Sequence, residues 1–329
     1  MRCAWFCLVA AGVFSGAFVS ASENNPDTDW MTSSKVGAFM HFLPDEARYP
    51  LVDAFDVPAL VKQLSEAGVR YFVFTLGQNS GYMNAPNAAY EKTAGYAAHA
   101  RCAKRDLPKE LAAALKPAGI RLMLYLPCQT PNRDVQAVRA FGLPEKPING
   151  DRKVSLDFAL KWADVIREWS DRYGADVSGW WFDGGYKWIG FNDEMALIYA
   201  AAAKHGNSQS VVTFNPGVGL KRWTVAEDYT AGELNEPFSY VCDGRWLSGS
   251  QWHVLTFLGA NWGKRDTRQT DDAWEKWVVD VTSKGGAVTL DVGPNYDAAA
   301  DPVGSISAAQ LKQLKVITDS ACRPAAPAK

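Results

Sequence analysis

An alternation of short apolar runs with longer amphipathic stretches constrains the fold of this chain more than any other feature. The short runs are rich in β-branched and aromatic residues and predict strands at 36–42, 69–76, 120–127, 177–183, 210–216, 224–232, 251–259 and 286–294. The stretches between them predict helices at 57–67, 107–118, 155–173, 193–205, 271–284 and 307–320. Strands that alternate with helices are typical of a parallel sheet covered by helices.

The number of predicted strands narrows this fold class further. Eight strand-helix repeats are the number that closes into a barrel, so we predict an α/β fold made of a single (β/α)8-type, TIM-like barrel. The stretch 232–250 has no clear helical pattern. We therefore expect the sixth repeat to be degenerate or replaced by a long loop. In such a barrel, catalytic residues come from the carboxyl ends of the strands, which gather on one face.

The first 21 residues have the pattern of a secretory signal. Arg2 precedes an apolar run at 4–18, and small residues follow at 19–21. We predict that 1–21 is removed on export to the periplasm or medium, that the barrel occupies 22–322, and that the tail 323–329 is disordered. No later run approaches the roughly 20 apolar residues of a membrane-spanning helix. Four cysteines then remain, and an oxidising compartment permits two disulfides in any of three pairings among Cys102, Cys128, Cys242 and Cys322.

The composition favours a sugar ligand and argues against several other classes. A net charge of −2 gives no support for nucleic acid as a partner. The 13 Trp, 12 Tyr and 15 Phe offer rings that stack on sugars, although large rings also fill cores. The sequence contains no CxxC or His-rich spacing, so it does not predict a metal site. The segment GVGLK at 217–221 lacks the full spacing of a phosphate-binding loop. We predict no cofactor and an oligosaccharide or glycoconjugate as partner; the oligomeric state stays open.

Polar residues lie where the predicted strands end. WWFDGG at 180–185 is the sharpest of these features, because two glycines let the backbone turn and leave the carboxylate of Asp183 accessible as a nucleophile or base. An Asp that caps the next helix is the competing interpretation. The other candidates at strand ends are His41, Gln78, Asn79, Tyr125, Asn215, Glu227, Asp228 and Glu233, and His253 lies early in its strand.

Several segments resemble, in order, the α-L-fucosidase family of retaining glycoside hydrolases. They are KVGAFMHF (35–42), AGVRYFVFTLGQNSGY (67–82), LMLYLP (122–127), WWFDGG (180–185), EDYTAGE (227–233), QWHVLTFLGANWG (251–263) and SKGGAVTLDVGPNYDAAADPVGSI (283–306). The resemblance covers about 30–318. It implies that Asp183 is the nucleophile, that His41 contacts the substrate, that Tyr125 lies in the active site, and that Trp181 places a ring near the sugar.

The chain departs from the family at three places in the expected site. Gln78 and Asn79 occupy the positions at which the family has a His-His pair. The family also carries an Arg soon after the fifth strand, where this chain has Asn215. Amides can still read sugar hydroxyls, so all three are candidate substrate contacts. A family acid/base Glu next to a Trp corresponds here to His253 after Trp252, and Trp252 is a further candidate contact. We also expect this chain to lack the C-terminal β-sandwich of the family.

The sequence therefore offers more than one candidate for the proton donor. We favour Glu233, which matches the Glu of the family's Tyr-Thr-x-x-Glu segment, with Glu227 and Glu236 as neighbours. His253 is the alternative, because an imidazolium can protonate a leaving oxygen near neutral pH. The function we predict is release of a terminal fucose or related sugar from a glycan. The alternatives are a non-catalytic carbohydrate-binding barrel and a glycosidase of different sugar specificity or mechanism.

Overall fold

The computed structural model describes residues 20–240 and 242–323, and within these ranges it contains nine strands. They are β1 (Val36–Met40), β2 (Tyr71–Thr75), β3 (Arg121–Pro127), β4 (Val177–Asp183), β5 (Val211–Phe214), β6 (Trp246–Leu247), β7 (Ser250–Gln251), β8 (His253–Phe257) and β9 (Ala287–Val292). Strands β6 and β7 form a short antiparallel hairpin. The other seven form one parallel sheet in the order β5-β4-β3-β2-β1-β9-β8.

Helices connect the strands and cover one face of the sheet. They are α1 (Asp29–Ser34), α2 (Val57–Glu66), α3 (Ala88–Ala94), α4 (Leu107–Leu115), α5 (Val135–Ala140), α6 (Leu156–Tyr173), α7 (Asp193–Ala203), α8 (Asp271–Ser283) and α9 (Ala308–Cys322). Side-chain caps fix where most of them begin. For example, Asp56, Asp106 and Ser155 accept a hydrogen bond from the backbone N–H three residues further on.

Side chains along each strand alternate between two apolar layers. In β4, Trp180 and Phe182 pack into the layer under the helices, whereas Trp181 packs into an inner layer with Phe39 of β1 and Tyr125 of β3. Successive strand residues point to opposite faces of a sheet, so His41 and Asp183, which lie two positions beyond Phe39 and Trp181, also face inward. Because of this alternation, the candidate residues at the strand ends lie close together on the inner side of the sheet.

The segment 228–234 lies between the two edges of the sheet. The N–H of Asp228 donates to Val212 of β5 at 2.9 Å. On the other side, the N–H of Leu255 in β8 donates to Gly232 at 2.9 Å. This segment forms only isolated bridges, at Tyr229 and Glu233, where the sequence predicted a strand at 224–232. The structure therefore gives seven sheet strands where eight were predicted.

The other predicted strands and the six predicted helices are present, with ends that differ by a few residues. Cys102, Cys128, Cys242 and Cys322 all carry free thiols, so the described part of the chain contains no disulfide between them. Among the residues described, no helix is both long and apolar enough to cross a membrane. Nearly all of the predicted signal at 1–21, and the tail at 324–329, lie outside the described residues.

Candidate active site

Strand β4 ends at Asp183, which lines a pocket of about 820 Å³. Asp183 lies two residues beyond the inward-facing Trp181, so the alternation of the strand directs its carboxylate toward the same side. Gly184 follows with a φ of +69°, a conformation that only glycine adopts readily, and this turns the chain away from the carboxylate. Asp183 is half-buried and accessible from the pocket.

Two side chains hold the carboxylate of Asp183. The hydroxyl of Tyr125 donates to Oδ2 at 2.6 Å, and Nδ2 of Asn215 donates to Oδ1 at 2.9 Å. Burial, together with the charge of Asp183, keeps the pKa of Tyr125 well above its usual range, so the phenol stays protonated as a donor. Gln78 donates in turn to the Tyr125 oxygen at 3.0 Å. These bonds fix the orientation of the Asp183 carboxylate.

Glu233 lines the same pocket as Asp183, and Gly232, the residue before it, makes this position possible. At Gly232 the φ is +59°, and a Cβ atom there would lie 2.0 Å from the carbonyl oxygen of His253, so only glycine fits. The close approach lets Glu233 pair with Leu255 of β8, and its carboxylate then lines the pocket that Asp183 also lines.

One amide joins the two carboxylates. Nδ2 of Asn215 donates to Asp183 Oδ1 and also to Glu233 Oε2, while the N–H of Gly217 donates to Asn215 Oδ1 at 3.1 Å and fixes which way the amide points. Since both oxygens accept from the same nitrogen, they can be no more than about 6 Å apart. A separation of about 5–5.5 Å is typical of retaining glycosidases, and inverting enzymes need about 6.5–9.5 Å.

The two carboxylates have different electrostatic surroundings. Burial, and next the nearby charge of Asp183, raise the pKa of Glu233 to about 7, although the hydrogen bond from Asn215 lowers it. A carboxyl with such a pKa carries a proton for much of the time near neutral pH and can give it to a leaving oxygen. The pair therefore has the properties of a nucleophile beside a proton donor.

His41 lines the pocket from the end of β1 and is held by Asp291 of β9. Its Nδ1 lies 2.7 Å from Oδ1 of Asp291, a buried carboxylate whose other oxygen accepts the N–H of Gly263 at 2.6 Å. A carboxylate on Nδ1 keeps the proton there and leaves Nε2 as the ring nitrogen available to a ligand. Asp291 thus positions both His41 and the loop that carries Trp262.

The remaining walls of the pocket combine apolar side chains with polar and cationic ones, from strands β1, β4 and β8 and from the loops after β1, β2, β4, β8 and β9. Apolar contacts come from Phe39, Leu43, Trp181, Leu255, Trp262 and Tyr296, and polar ones from Arg48, Gln78, Tyr186, Lys264, Arg265, Asn295 and Asp297. Such a mixture of ring faces and hydrogen-bonding groups suits a sugar. No cluster of three or more potential metal ligands occurs in the described part of the chain.

His253 and Trp252, both candidates from the sequence, lie away from the pocket. His253 is the first residue of β8, at the strand end opposite the pocket mouth, and is buried with its ring nitrogens 2.9 Å from the Thr230 carbonyl and 2.7 Å from the Thr289 hydroxyl. Burial lowers its pKa to about 4, so it is neutral near pH 7 and has no proton for a leaving group. Trp252 is fully buried in the layer under the helices.

The acidic residues near Glu233 in the chain make contacts that hold the structure together. Glu227 is buried and accepts backbone N–H groups of Phe214 and Trp223, which anchors its loop to β5. Glu236 is exposed and pairs with Arg268 at 3.2 Å. Neither lines the pocket. Asn79 lines a smaller pocket of about 90 Å³ beside Asp183, and its backbone oxygen accepts the N–H of Arg133.

Several residues that line or support the pocket were absent from the sequence candidates. Asp291 carried a signal, since it is a carboxylate inside an apolar strand and faces the same side as Thr289. Trp262 and Tyr296 were within the family-like segments but nothing in their spacing marked them. Arg48 lies in a loop that only the folded chain brings to the pocket.

Comparisons with known proteins find a matching family and several similar folds. The sequence model of the α-L-fucosidase family matches residues 51–319. A search of the curated proteins finds no match. Among solved structures, an endo-fucoidan hydrolase of glycoside hydrolase family 107 has a TM-score of 0.73 at 15% identity, over 89% of this chain and 53% of that one. This chain thus spans about half the length of that hydrolase.

Two fucosidase structures are also similar. A glycoside hydrolase family 29 α-L-fucosidase from Bacteroides thetaiotaomicron, solved as a trapped covalent intermediate, has a TM-score of 0.62 at 16% identity, over 92% of this chain and 76% of that one. An α-L-fucosidase in complex with Fuca(1,6)GlcNAc has a TM-score of 0.61 at 16% identity, over 90% of this chain and 98% of that one. At these identities the structures establish a shared fold.

Proposed function

Because this chain belongs to the α-L-fucosidase family, we propose that it is a glycosidase: a retaining hydrolase that releases terminal α-linked fucose, or a closely related sugar, from a glycan. The observation that carries the proposal is the shared amide of Asn215. It keeps one oxygen of Asp183 and one oxygen of Glu233 within about 6 Å of each other, which fits the roughly 5–5.5 Å between the nucleophile and the acid/base of a retaining glycosidase.

The reaction follows from the two environments. Asp183, ionised and held by Tyr125 and Asn215, attacks the anomeric carbon, while protonated Glu233 gives its proton to the departing glycosidic oxygen. A glycosyl ester on Asp183 results. Glu233, now a carboxylate, removes a proton from water. The water oxygen attacks the anomeric carbon, the bond between the sugar and Asp183 breaks, and the Asp183 carboxylate is regenerated. The sugar leaves with its original anomeric configuration, and both carboxyl groups return to their starting states.

The pocket supports a deoxy sugar. Phe39, Leu255 and Trp262 provide an apolar wall that suits a methyl substituent in place of a hydroxymethyl group. His41 and Gln78 can bond to ring hydroxyls, with Nε2 of His41 oriented through Asp291. The choice of sugar rests on the family together with this wall, since the His-His pair of the family is replaced here by Gln78 and Asn79.

We extend the proposal to the barrel and to export. The backbone bonds of 228–234 to both sheet edges support a barrel of eight repeats in which this segment replaces the sixth strand. The pattern of Arg2 and the apolar run 4–18 supports export after loss of 1–21. Sequencing the amino terminus of exported protein should find it near residue 22. A chain that still begins at Met1 would contradict export.

The test is hydrolysis of a panel of aryl glycosides, including an α-L-fucoside, by the wild-type protein and by Asp183→Asn. We expect turnover of the fucoside, first formation of the α-anomer by NMR, and loss of turnover in Asp183→Asn with the fold unchanged by circular dichroism. First formation of the β-anomer would contradict the retaining mechanism. Sugar binding without turnover of any glycoside would favour the non-catalytic barrel.

A further inference from the structure

We propose that Tyr186 and Trp188 form an aromatic platform, beside the pocket, that binds a sugar ring of the leaving group. The proposal rests on the proposed function and deepens it. It implies that the natural substrate is a glycan in which the bond to be cleaved joins two sugars.

The geometry of the platform fits a ligand with an apolar face. The rings of Tyr186 and Trp188 are nearly parallel, with an interplanar angle of 10° and centroids 5.3 Å apart. Tyr186 lines both the main pocket and the small pocket beside Asp183, whereas Trp188, which stacks on Tyr186, lines neither. Trp188 is 45% exposed, and no other tryptophan of the described residues is as open to solvent. An indole with one face covered and the other open can stack on a sugar.

The platform is held rigidly by the chain around it. Residues Lys187–Ile189 form one turn of 3-10 helix, in which Ile189 is fully buried and its carbonyl accepts the N–H of Val154 at 2.9 Å. A Cβ atom at Gly184 or Gly217 would lie 3.6 Å from the Tyr186 ring, so backbone packs on this ring from two places. Exposed rings that are already ordered lose little conformational freedom when a ligand binds. This arrangement is therefore typical of a binding surface.

The position of Glu233 identifies which part of the substrate reaches the platform. A proton donor must face the leaving oxygen, so the leaving group lies on the Glu233 side of Asp183. The N–H of Gly219 donates to the carbonyl of Glu233 at 2.8 Å, and this is the loop whose Gly217 lies against the Tyr186 ring. The platform and the proton donor are thus on one side of the site. The occupant we assign is a pyranose ring of the leaving group.

The test compares substrates with and without a leaving sugar. α-L-Fucosyl fluoride has a leaving group too small to reach the platform, whereas fucosyl-α(1,2)-galactose and fucosyl-α(1,6)-N-acetylglucosamine each carry a sugar there. We expect Trp188→Ala to lower the ratio of kcat/KM for the better disaccharide to kcat/KM for the fluoride by about two- to tenfold, the size of one aromatic contact. Trp188→Phe, which keeps a ring, should recover most of the ratio.

Tyr240→Ala is the matched control, because Tyr240 is 44% exposed and lines neither pocket. It should leave the ratio unchanged. An unchanged ratio in Trp188→Ala, or a wild-type protein that hydrolyses the fluoride and neither disaccharide, would overturn the platform while leaving the proposed function intact. A wild-type protein that hydrolyses none of the three would refute the proposed function, and the platform with it.

Discussion

The proton held by Glu233 sets how activity should depend on pH. Burial and the Asp183 charge raise its pKa from 4.5 to about 7. At pH 7 about half of the Glu233 carboxyls are then protonated, whereas a carboxyl with a pKa of 4.5 would be protonated in only about 0.3% of molecules. The surroundings therefore increase the active protonation state by roughly 150-fold at this pH. Because the donor must carry its proton, kcat/KM should be high below pH 7 and fall as the pH rises through about 7.

Replacing the donor should remove this dependence. We expect Glu233→Gln to lower kcat/KM for a fucosyl disaccharide by roughly 10²–10⁴-fold, the usual contribution of a general acid. The loss for α-L-fucosyl fluoride should be much smaller, because fluoride departs with little help from a proton. With the disaccharide, the variant should also lose the decline of kcat/KM near pH 7. The assay is a kcat/KM profile from pH 5 to 9 with both substrates.

Glu236→Gln is the control for that experiment. Glu236 lies in the same loop but is exposed and pairs with Arg268, so the same change there should preserve both the rate and the pH profile. A decline near pH 7 that persists in Glu233→Gln, or that disappears in Glu236→Gln, would refute the assignment of the proton donor.

Two further predictions concern residues outside the carboxylate pair. Asp291→Asn removes the carboxylate that holds Nδ1 of His41, so we expect KM for the fucoside to rise more than kcat falls, by roughly tenfold for a lost charged hydrogen bond; an unchanged KM in steady-state assays would contradict this role. Lys204→Met leaves buried Asp228 without its ion-pair partner and should reduce the free energy of unfolding by about 1–3 kcal/mol, since Lys204 is partly exposed. In urea titrations, Lys62→Met at an exposed i,i+4 pair should change it by less than about 0.5 kcal/mol, and equal losses in the two variants would contradict the prediction.

The sheet could be predicted from local patterns because its strands are buried on both faces. Such strands appear in the sequence as continuous apolar runs, and 177–183 has the predicted bounds. The segment 224–232 lacks such a run, because it mixes polar residues with apolar ones, and it bonds to the sheet at isolated positions. The short helices α1, α3 and α5 were also missed. Six or seven residues are too few for a periodic pattern, although Asn87 and Gly95 mark the two ends of α3.

In the site, too, some features could be predicted from the sequence and others could not. Asp183, Tyr125 and His41 follow apolar strand positions, so the alternation of side chains along parallel strands is enough to predict that they share one region. The amide of Asn215 that joins Asp183 to Glu233, and the pairing of His41 with Asp291, join residues far apart in the chain. Such contacts leave no local pattern. His253 was a candidate because of its neighbour Trp252, but its place at the start of β8 puts it at the wrong end of the strand.

The proposed mechanism requires a covalent ester between Asp183 and the sugar, and this ester can be trapped. Incubation with 2-deoxy-2-fluoro-L-fucosyl fluoride should inactivate the protein, because the fluorine at C2 slows breakdown of the ester more than it prevents formation. Mass spectrometry should then find one added fluorofucosyl group per chain, on the peptide that contains WWFDGG and, within it, on Asp183. A label on any other residue, or turnover of fucosides with no label at all, would contradict the account.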